Sequence, residues 1–257
     1  MIAAIPVNGE AESIASDAAA WTLHASGERL LIIELHAGDR VAANRRARDF
    51  AARIAAENLS YVTGIVPAMT TVGIHYAPHL VRLDNTSQAP YDALVEVLTG
   101  LLKTVGATQD TAPRVVEIPV CYGGEHGPDL GEVAHACGLS EHKVIELHSG
   151  ALVDVMMLGF APGHPYLGML DARLSPARRA TPRTAVAPGS IGLANRQSVI
   201  YPLTLPGGWN LIGRTPLALF DPVREAPCLV NAGDQVRFVP ITPEQFETIR
   251  QNTGAAR

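Results

Sequence analysis

Arginine is the residue whose placement first suggests chemistry. Between Ala172 and Arg224 the chain carries seven arginines, no lysine and a single acid, Asp221, so this stretch is locally cationic inside a protein of net charge -5. A guanidinium fork matches carboxylates and phosphates, which suits the stretch to an anionic ligand. Arg183 follows Pro182 and Arg214 precedes Thr215-Pro216, each the only charged side chain in its immediate proline-containing motif. Arg178 and Arg179 form an adjacent pair that reads as well as surface or partner contacts as it does as ligand donors. Across the whole chain the bias is 18 arginines to two lysines, Lys103 and Lys143, which also fits genomic base composition.

His148 and His164 have a reference pKa near neutrality and are candidates for proton transfer, or for hydrogen-bonded structural positions. Pro162-Gly-His-Pro165 and Pro206-Gly-Gly208 fix unusual backbone angles, which either aims peptide N–H groups at a ligand or turns the chain between strands. Both loops end in a large amphipathic side chain, Tyr166 and Trp209, able to line a pocket and donate a hydrogen bond. Together they favour a cleft in which Tyr166, His164, Trp209, Gly207 and Gly208 contact a substrate.

Several chemistries lack their residues. There is no Gly-x-Ser-x-Gly elbow, and Gly189-Ser-Ile-Gly192 has the wrong spacing for one. Lys103-Thr104 follows Leu102 rather than glycine, so no Walker A loop forms. His75 and His79 are four apart, but Pro78 argues against a shared helix face. Glu132 and His135 make one Glu-x-x-His where a bundle di-metal site needs two. No protein-ligated metal is expected. Three scattered cysteines, Cys121, Cys137 and Cys228, do not make a disulfide framework. The negative net charge gives no footprint for nucleic acid. No apolar run approaches the ~20 residues of a membrane span. The first residues lack a secretory pattern, so a cytoplasmic address is expected.

The elements that must carry these residues read as two domains, 1–112 and 113–257, since 257 residues exceed one ordinary domain. In the first, Leu30 to Leu35 is a strand. A helix capped by Asp39 follows, with Ala43, Ala47, Phe50, Ala51 and Ile54 on one face and its end near Asn58. Tyr61 to Val66 and the alternating Val72, Ile74 and Tyr76 are strands, and Pro90 to Thr104 is a second helix. Strand, helix, strand, strand, helix is the order of a ferredoxin-like α+β sandwich, with Val115 to Val120 either closing it or opening the next domain. The boundary is placed in the small, polar segment Gly106 to Pro113. Beyond it come two short helices, Asp129 to Ala136 and Ser140 to Leu147. Then eight Gly and eight Pro between Gly159 and Pro216 imply many short strands joined by constrained loops, with a closing strand at Gln235 to Val239.

A series of blocks carries a family resemblance: Ile118-Pro-Val-Cys-Tyr-Gly-Gly124, Gly127-Pro-Asp-Leu130, Leu158-Gly-Phe-Ala-Pro-Gly-His-Pro-Tyr-Leu-Gly168, Ala180-Thr-Pro-Arg183, Gly189-Ser-Ile-Gly192, Tyr201-Pro202 and Pro206-Gly-Gly-Trp-Asn-Leu-Ile-Gly-Arg-Thr-Pro216. In order and spacing the chain resembles the family of the Kip inhibitor and the 5-oxoprolinase B subunit, also called allophanate hydrolase subunit 1, over about Val115 to Ile241. His164 stands where that family more often has an aromatic, and Ala177 replaces a proline. The resemblance implies an α+β chain, with a cyclophilin-like β-barrel behind a small ferredoxin-like domain. It implies one component of an ATP-dependent 5-oxoprolinase, working only with a C-subunit homologue (allophanate hydrolase subunit 2) and a LamB/YcsF-type A subunit. ATP and its magnesium would bind by a non-P-loop route or on a partner. In that reaction, phosphoryl activation of the lactam oxygen precedes attack by water, and Arg214, Arg183 and His148 are the expected catalytic residues. Inhibition of a sensor histidine kinase, or a part in urea or allophanate metabolism, are the alternative activities it implies.

Overall fold

The computed structural model describes residues 20–83, 87–104 and 112–255, and the chain divides into two compact units, 1–110 and 111–257. Most of the expected Gly106 to Pro113 linker lies outside the described residues. The architecture is α+β.

In the first unit, β1 (Trp21–Ala25), β2 (Leu30–Leu35), β3 (Val62–Pro67) and β4 (Thr71–Tyr76) form an antiparallel sheet of order β1-β2-β4-β3. Helices α1 (Arg40–Glu57) and α2 (Pro90–Thr104) cover one face of it. Period-two alternation sends Leu31, Ile33 and Leu35 of β2 and Val72, Ile74 and Tyr76 of β4 to that face. There they meet Ala47, Phe50 and Ile54 of α1 and Leu94 and Leu98 of α2 in one cluster. Asp39 caps α1 by accepting from the Ala42 N–H at 2.8 Å. Asn58 closes the helix in the left-handed conformation, at φ 49°. The sheet edge beside β2 is taken by β1, supplied from the N-terminal side. Val115 to Val120 therefore does not close this sheet. It belongs to the second unit.

There β5 (Val115–Tyr122), β6 (Leu152–Leu158), β7 (Pro165–Gly168), β9 (Ser190–Ala194), β10 (Gln197–Ile200), β12 (Asn210–Arg214) and β13 (Gln235–Pro240) close into a barrel of order β10-β7-β6-β13-β5-β12-β9. All its pairs are antiparallel except β13 on β5. Its interior cluster draws on all seven strands, with Ile118, Val155, Leu167, Leu193, Ile200, Ile212 and Phe238 among them. Leu130 and Val133 of α3 (Leu130–Cys137) and Val144 of α4 (Glu141–Ser149) join this cluster.

A separate two-stranded ribbon of β8 (Arg183–Val186) and β11 (Leu205–Gly207) pairs Gly207 with Arg183. Alternation along the barrel strands sends Ala194, Val199 and Leu211 to the opposite face from Leu193, Ile200 and Ile212. On that outer face they pack with Val186 of the ribbon, Tyr201 and Trp209 in a second cluster. This double coverage explains why every residue of β9 is buried. A last helix, α5 (Pro243–Ala255), follows β13, and sequence periodicity gave no expectation of it. Among the described residues no helix is long and apolar enough to cross a membrane.

Candidate functional site

The outer cluster does not fill the space between ribbon and barrel. A cleft of about 310 Å³ remains, and it brings together five of the eight expected site residues: His164, Tyr166, Gly207, Gly208 and Trp209. Trp209 forms one wall, 5% exposed. Its approach depends on Gly192, because a Cβ there would lie 2.7 Å from Trp209 Cβ. Tyr166 meets the indole edge-on at 6.2 Å. The His164 ring is tilted on Tyr166 at 5.1 Å and edge-on to Tyr201 at 5.3 Å and Phe160 at 5.5 Å. Phe160, at the mouth, is 64% exposed and holds φ 71°, a conformation unusual for a bulky side chain and of the kind stored at binding sites.

Polarity in the cleft is sparse and unsatisfied. The Tyr201 hydroxyl and His164 Nδ1 are buried and have no hydrogen-bond partner, each a deficit worth about 1–3 kcal/mol. Burial pushes the Tyr201 phenol up to about 12 and lowers His164 to about 4, so both are neutral at physiological pH. The one charged lining residue is Arg178, whose guanidinium carbon sits 4.4 Å from the Trp209 ring centroid, within cation–π range. Among the described residues it has no carboxylate partner, and none of the cleft's lining residues is acidic. Aromatic walls, one free guanidinium and two idle neutral polar groups suit a small, flat, partly apolar anion.

The other three expected residues lie elsewhere. Arg183 donates from Nη2 to Asp129 Oδ1 at 2.7 Å, and Arg179 donates to the same oxygen at 3.0 Å. The second Asp129 oxygen accepts from the Leu211 N–H at 2.7 Å. Asp129 is 3% exposed, so one buried carboxylate ties the ribbon, the 178–182 arm and β12 together. Arg214 donates from Nε to the Pro188 carbonyl at 2.8 Å and so fixes the turn before β9.

His148 is fully buried, on the barrel's interior side. Ser198 Oγ donates to the Gly192 carbonyl at 3.0 Å, so it must accept from His148 Nε2–H at 3.0 Å. The remaining nitrogen, Nδ1, then accepts from the Tyr122 hydroxyl at 2.7 Å. In the chain Tyr122, His148, Ser198, Gly192 neither ring nitrogen is left open, and the serine proton is given to a carbonyl and not to the imidazole. Desolvation lowers the His148 pKa to about 3. Among the described residues no cluster of His, Cys, Asp or Glu is placed to hold a metal ion.

Sequence reasoning left Tyr201 and Phe160 out of the site and left Arg178 undecided between ligand and surface or partner contact. For Tyr201 a signal existed: it lies two positions beyond Val199 and so shares the outer parity of β10. For Arg178 the signal was only the cationic stretch, since it takes the folded chain to bring it to Trp209.

Gly207 illustrates how tightly the wall is built. A Cβ there would overlap the Tyr201 hydroxyl and lie 2.8 Å from the carbon bearing it. Gly207→Ala is expected to destabilise the chain by about 1–3 kcal/mol, as overpacking does. Adding Tyr201→Phe should restore part of that loss, read as a double-mutant cycle in denaturant melts. Equal melting of wild type and Gly207→Ala would show that the hydroxyl does not press on this strand.

Closed barrel, covering ribbon and lined cleft together define a barrel protein with a cleft of small-molecule size on its outer face. The chain belongs to the carboxyltransferase-domain family, subdomain C and D, whose sequence profile matches residues 21–230. It is 40% identical over 191 residues to the 5-oxoprolinase B subunit of Bacillus subtilis, covering 74% of this chain and 80% of that one. It is 42% identical over 214 residues to the 5-oxoprolinase B subunit of Escherichia coli O157:H7, covering 83% and 93%. The crystal structure of TTHA0988 superposes with a TM-score of 0.70 at 37% identity over 83% of this chain, which spans 40% of that longer chain.

Proposed function

We propose that this chain is the B subunit of a multi-component, ATP-dependent 5-oxoprolinase, which converts 5-oxo-L-proline, ATP and water to L-glutamate, ADP and phosphate, and that it holds the lactam substrate in the cleft beside Trp209. The observation that carries the reading is the 42% identity to a 5-oxoprolinase B subunit across 93% of that protein. The cleft supports it independently. A five-membered lactam acid is flat, partly apolar and singly anionic, and the walls of Tyr166 and Trp209, the Gly207-Gly208 backbone, Arg178 and His164 offer matching surfaces. On this reading the barrel is cyclophilin-like. The N-terminal sheet is a ferredoxin-like variant in which β1 takes the edge that a closing strand would otherwise fill.

The described residues of the cleft do not fit a triphosphate. The cleft offers a single unpaired cation, there is no glycine-rich loop ending in lysine, and no described cluster would hold magnesium. ATP and its metal are therefore assigned to a partner surface, with homologues of the C subunit and of the LamB/YcsF-type A subunit as the partners and the cytoplasm as the place of work. This chain's own contribution is to bind, orient and desolvate the lactam. Arg183 and Arg214 keep the ribbon and its neighbouring turn in register around the cleft.

Glutamate release from 5-oxoproline is expected only when all three components are mixed with ATP, with none from this chain alone. Substantial turnover by the chain alone would reject the assignment of ATP to a partner. No turnover by the complete mixture would reject the 5-oxoprolinase reading.

A further inference from the structure

If the cleft is the lactam site, as proposed above, its charge pattern also determines which ligands it accepts. Arg178 is exposed and has no carboxylate partner among the described residues, and its guanidinium carbon lies 4.4 Å from the Trp209 ring centroid. A guanidinium held against a ring face spends no N–H donor on a protein carboxylate, which leaves its fork for one on a ligand. Deeper in, the Tyr201 hydroxyl lies against Gly207 and His164 Nδ1 lies among aromatic rings, both buried and both idle. Both atoms are closed off from the open volume of the cleft, so Arg178 is the one charged group that a ligand meets there. Finally, no aspartate or glutamate lines the cleft, so a ligand ammonium placed there would be desolvated with nothing to neutralise it.

We propose that Arg178 sets the selectivity of the cleft by holding the single carboxylate of a cyclic amide, and that the cleft rejects the ring-opened amino acid. Selection then works in two directions. A neutral lactam lacks the group that Arg178 grips. Glutamate, with an ammonium and a second carboxylate, meets an aromatic wall and no acid, so opening the ring turns the ligand into one that the cleft does not hold. Product leaves because ring opening adds an ammonium and a second carboxylate that the cleft does not neutralise, without any need for a moving lid.

Isothermal titration of the full-length chain with 5-oxo-L-proline, 2-pyrrolidinone and L-glutamate tests this, on wild type, Arg178→Gln, Arg178→Lys and Trp209→Ala, each first shown to melt cooperatively above the titration temperature. Wild type is expected to bind 5-oxoproline at least about ten-fold (~1.4 kcal/mol) more tightly than 2-pyrrolidinone, with glutamate giving no heat at concentrations that saturate with 5-oxoproline. Arg178→Gln should erase the preference without altering affinity for 2-pyrrolidinone, and Arg178→Lys should keep part of it. If 5-oxoproline binds and Trp209→Ala abolishes binding, but the neutral lactam or glutamate binds equally well or Arg178→Gln keeps the preference, the selectivity inference is overturned while the cleft remains the site. If 5-oxoproline and 2-pyrrolidinone give no heat, or Trp209→Ala binds as wild type does, the site reading fails and the inference falls with it.

Discussion

Asp129→Ala lowers the melting temperature by roughly 6–20 °C. Its carboxylate is 3% exposed and holds Arg183 at 2.7 Å, Arg179 at 3.0 Å and the Leu211 N–H at 2.7 Å. Removing it strands the Arg183 guanidinium and the Leu211 amide, while Arg179 keeps Glu132 at 3.2 Å. Arg183 Nη1 and Arg179 Nε are already buried without partners, so losing Asp129 adds to an existing deficit. Breaking a buried pair by deleting one partner costs about 3–5 kcal/mol. At ~2–4 °C per kcal/mol for a chain of this size, the melting shift follows. Asp129→Asn keeps an acceptor for Leu211 but loses the charge, and should fall between. Arg183→Ala should cost less than Asp129→Ala, since Arg179 still neutralises the carboxylate. The loss should also reach the cleft: the Arg179 N–H donates to the Gly208 carbonyl at 2.8 Å, so the arm bearing Arg178 is tied to the cleft wall through the residues that Asp129 anchors. Differential scanning calorimetry of the three variants checks the order. An Asp129→Ala chain that melts with wild type would mean that the three contacts are not made in solution.

The fold was legible where one periodicity governed. Leu31, Ile33 and Leu35 alternate, Ala43, Ala47, Phe50 and Ile54 recur at helical spacing, and the structure uses both patterns for burial. The edge position of β1 was not legible, because which strand fills a sheet edge depends on long-range pairing. In the barrel, Gly and Pro density marked short strands, but β9 is buried on both faces and so presents no alternation to read. The cleft residues were found through loops whose glycines and aromatics declare themselves locally. The arginines were harder. Arg183 and Arg214 sit in motifs that look functional, yet what they touch is Asp129 and the Pro188 carbonyl, partners 54 and 26 residues away. Arg178, outside any such motif, reaches the cleft. A guanidinium serves an ion pair and a ligand with the same chemistry, so only its partner distinguishes the two. His148 posed the same ambiguity, and the barrel's interior parity resolves it: Ser198 and Ile200 of β10 face inward with it, while Val199 and the cleft lie on the far side.

Burial of His148 also sets an acid limit on stability. Its ring is stacked on Phe238 at 4.2 Å and saturated by Tyr122 and Ser198, and desolvation lowers its pKa from 6.5 to about 3. The unfolded chain binds a proton near pH 6.5 and the folded chain refuses it until about 3. Between those values the unfolded state carries more protons, so this stability is complete above pH 6.5 and is lost as pH falls through the window, by up to about 1.4 kcal/mol per pH unit. His164, lowered to about 4 by burial, acts with the same sign. The carboxylates of Glu146 and Asp171 are held below their ordinary range by Lys143 and Arg173 respectively, so their losses begin only at lower pH. The interval from pH 6.5 to 5 therefore isolates the histidines. Urea melts across it are expected to show stability falling with pH in wild type, and falling about half as steeply in His148→Gln, which cannot titrate. That variant should be less stable than wild type at pH 7.5, since a flexible amide cannot satisfy Tyr122 and Ser198 together in the ring's place and forfeits the stacking on Phe238. A slope unchanged by His148→Gln would mean that the imidazole accepts a proton in the folded barrel. Proton transfer by His148 would then return as a live role.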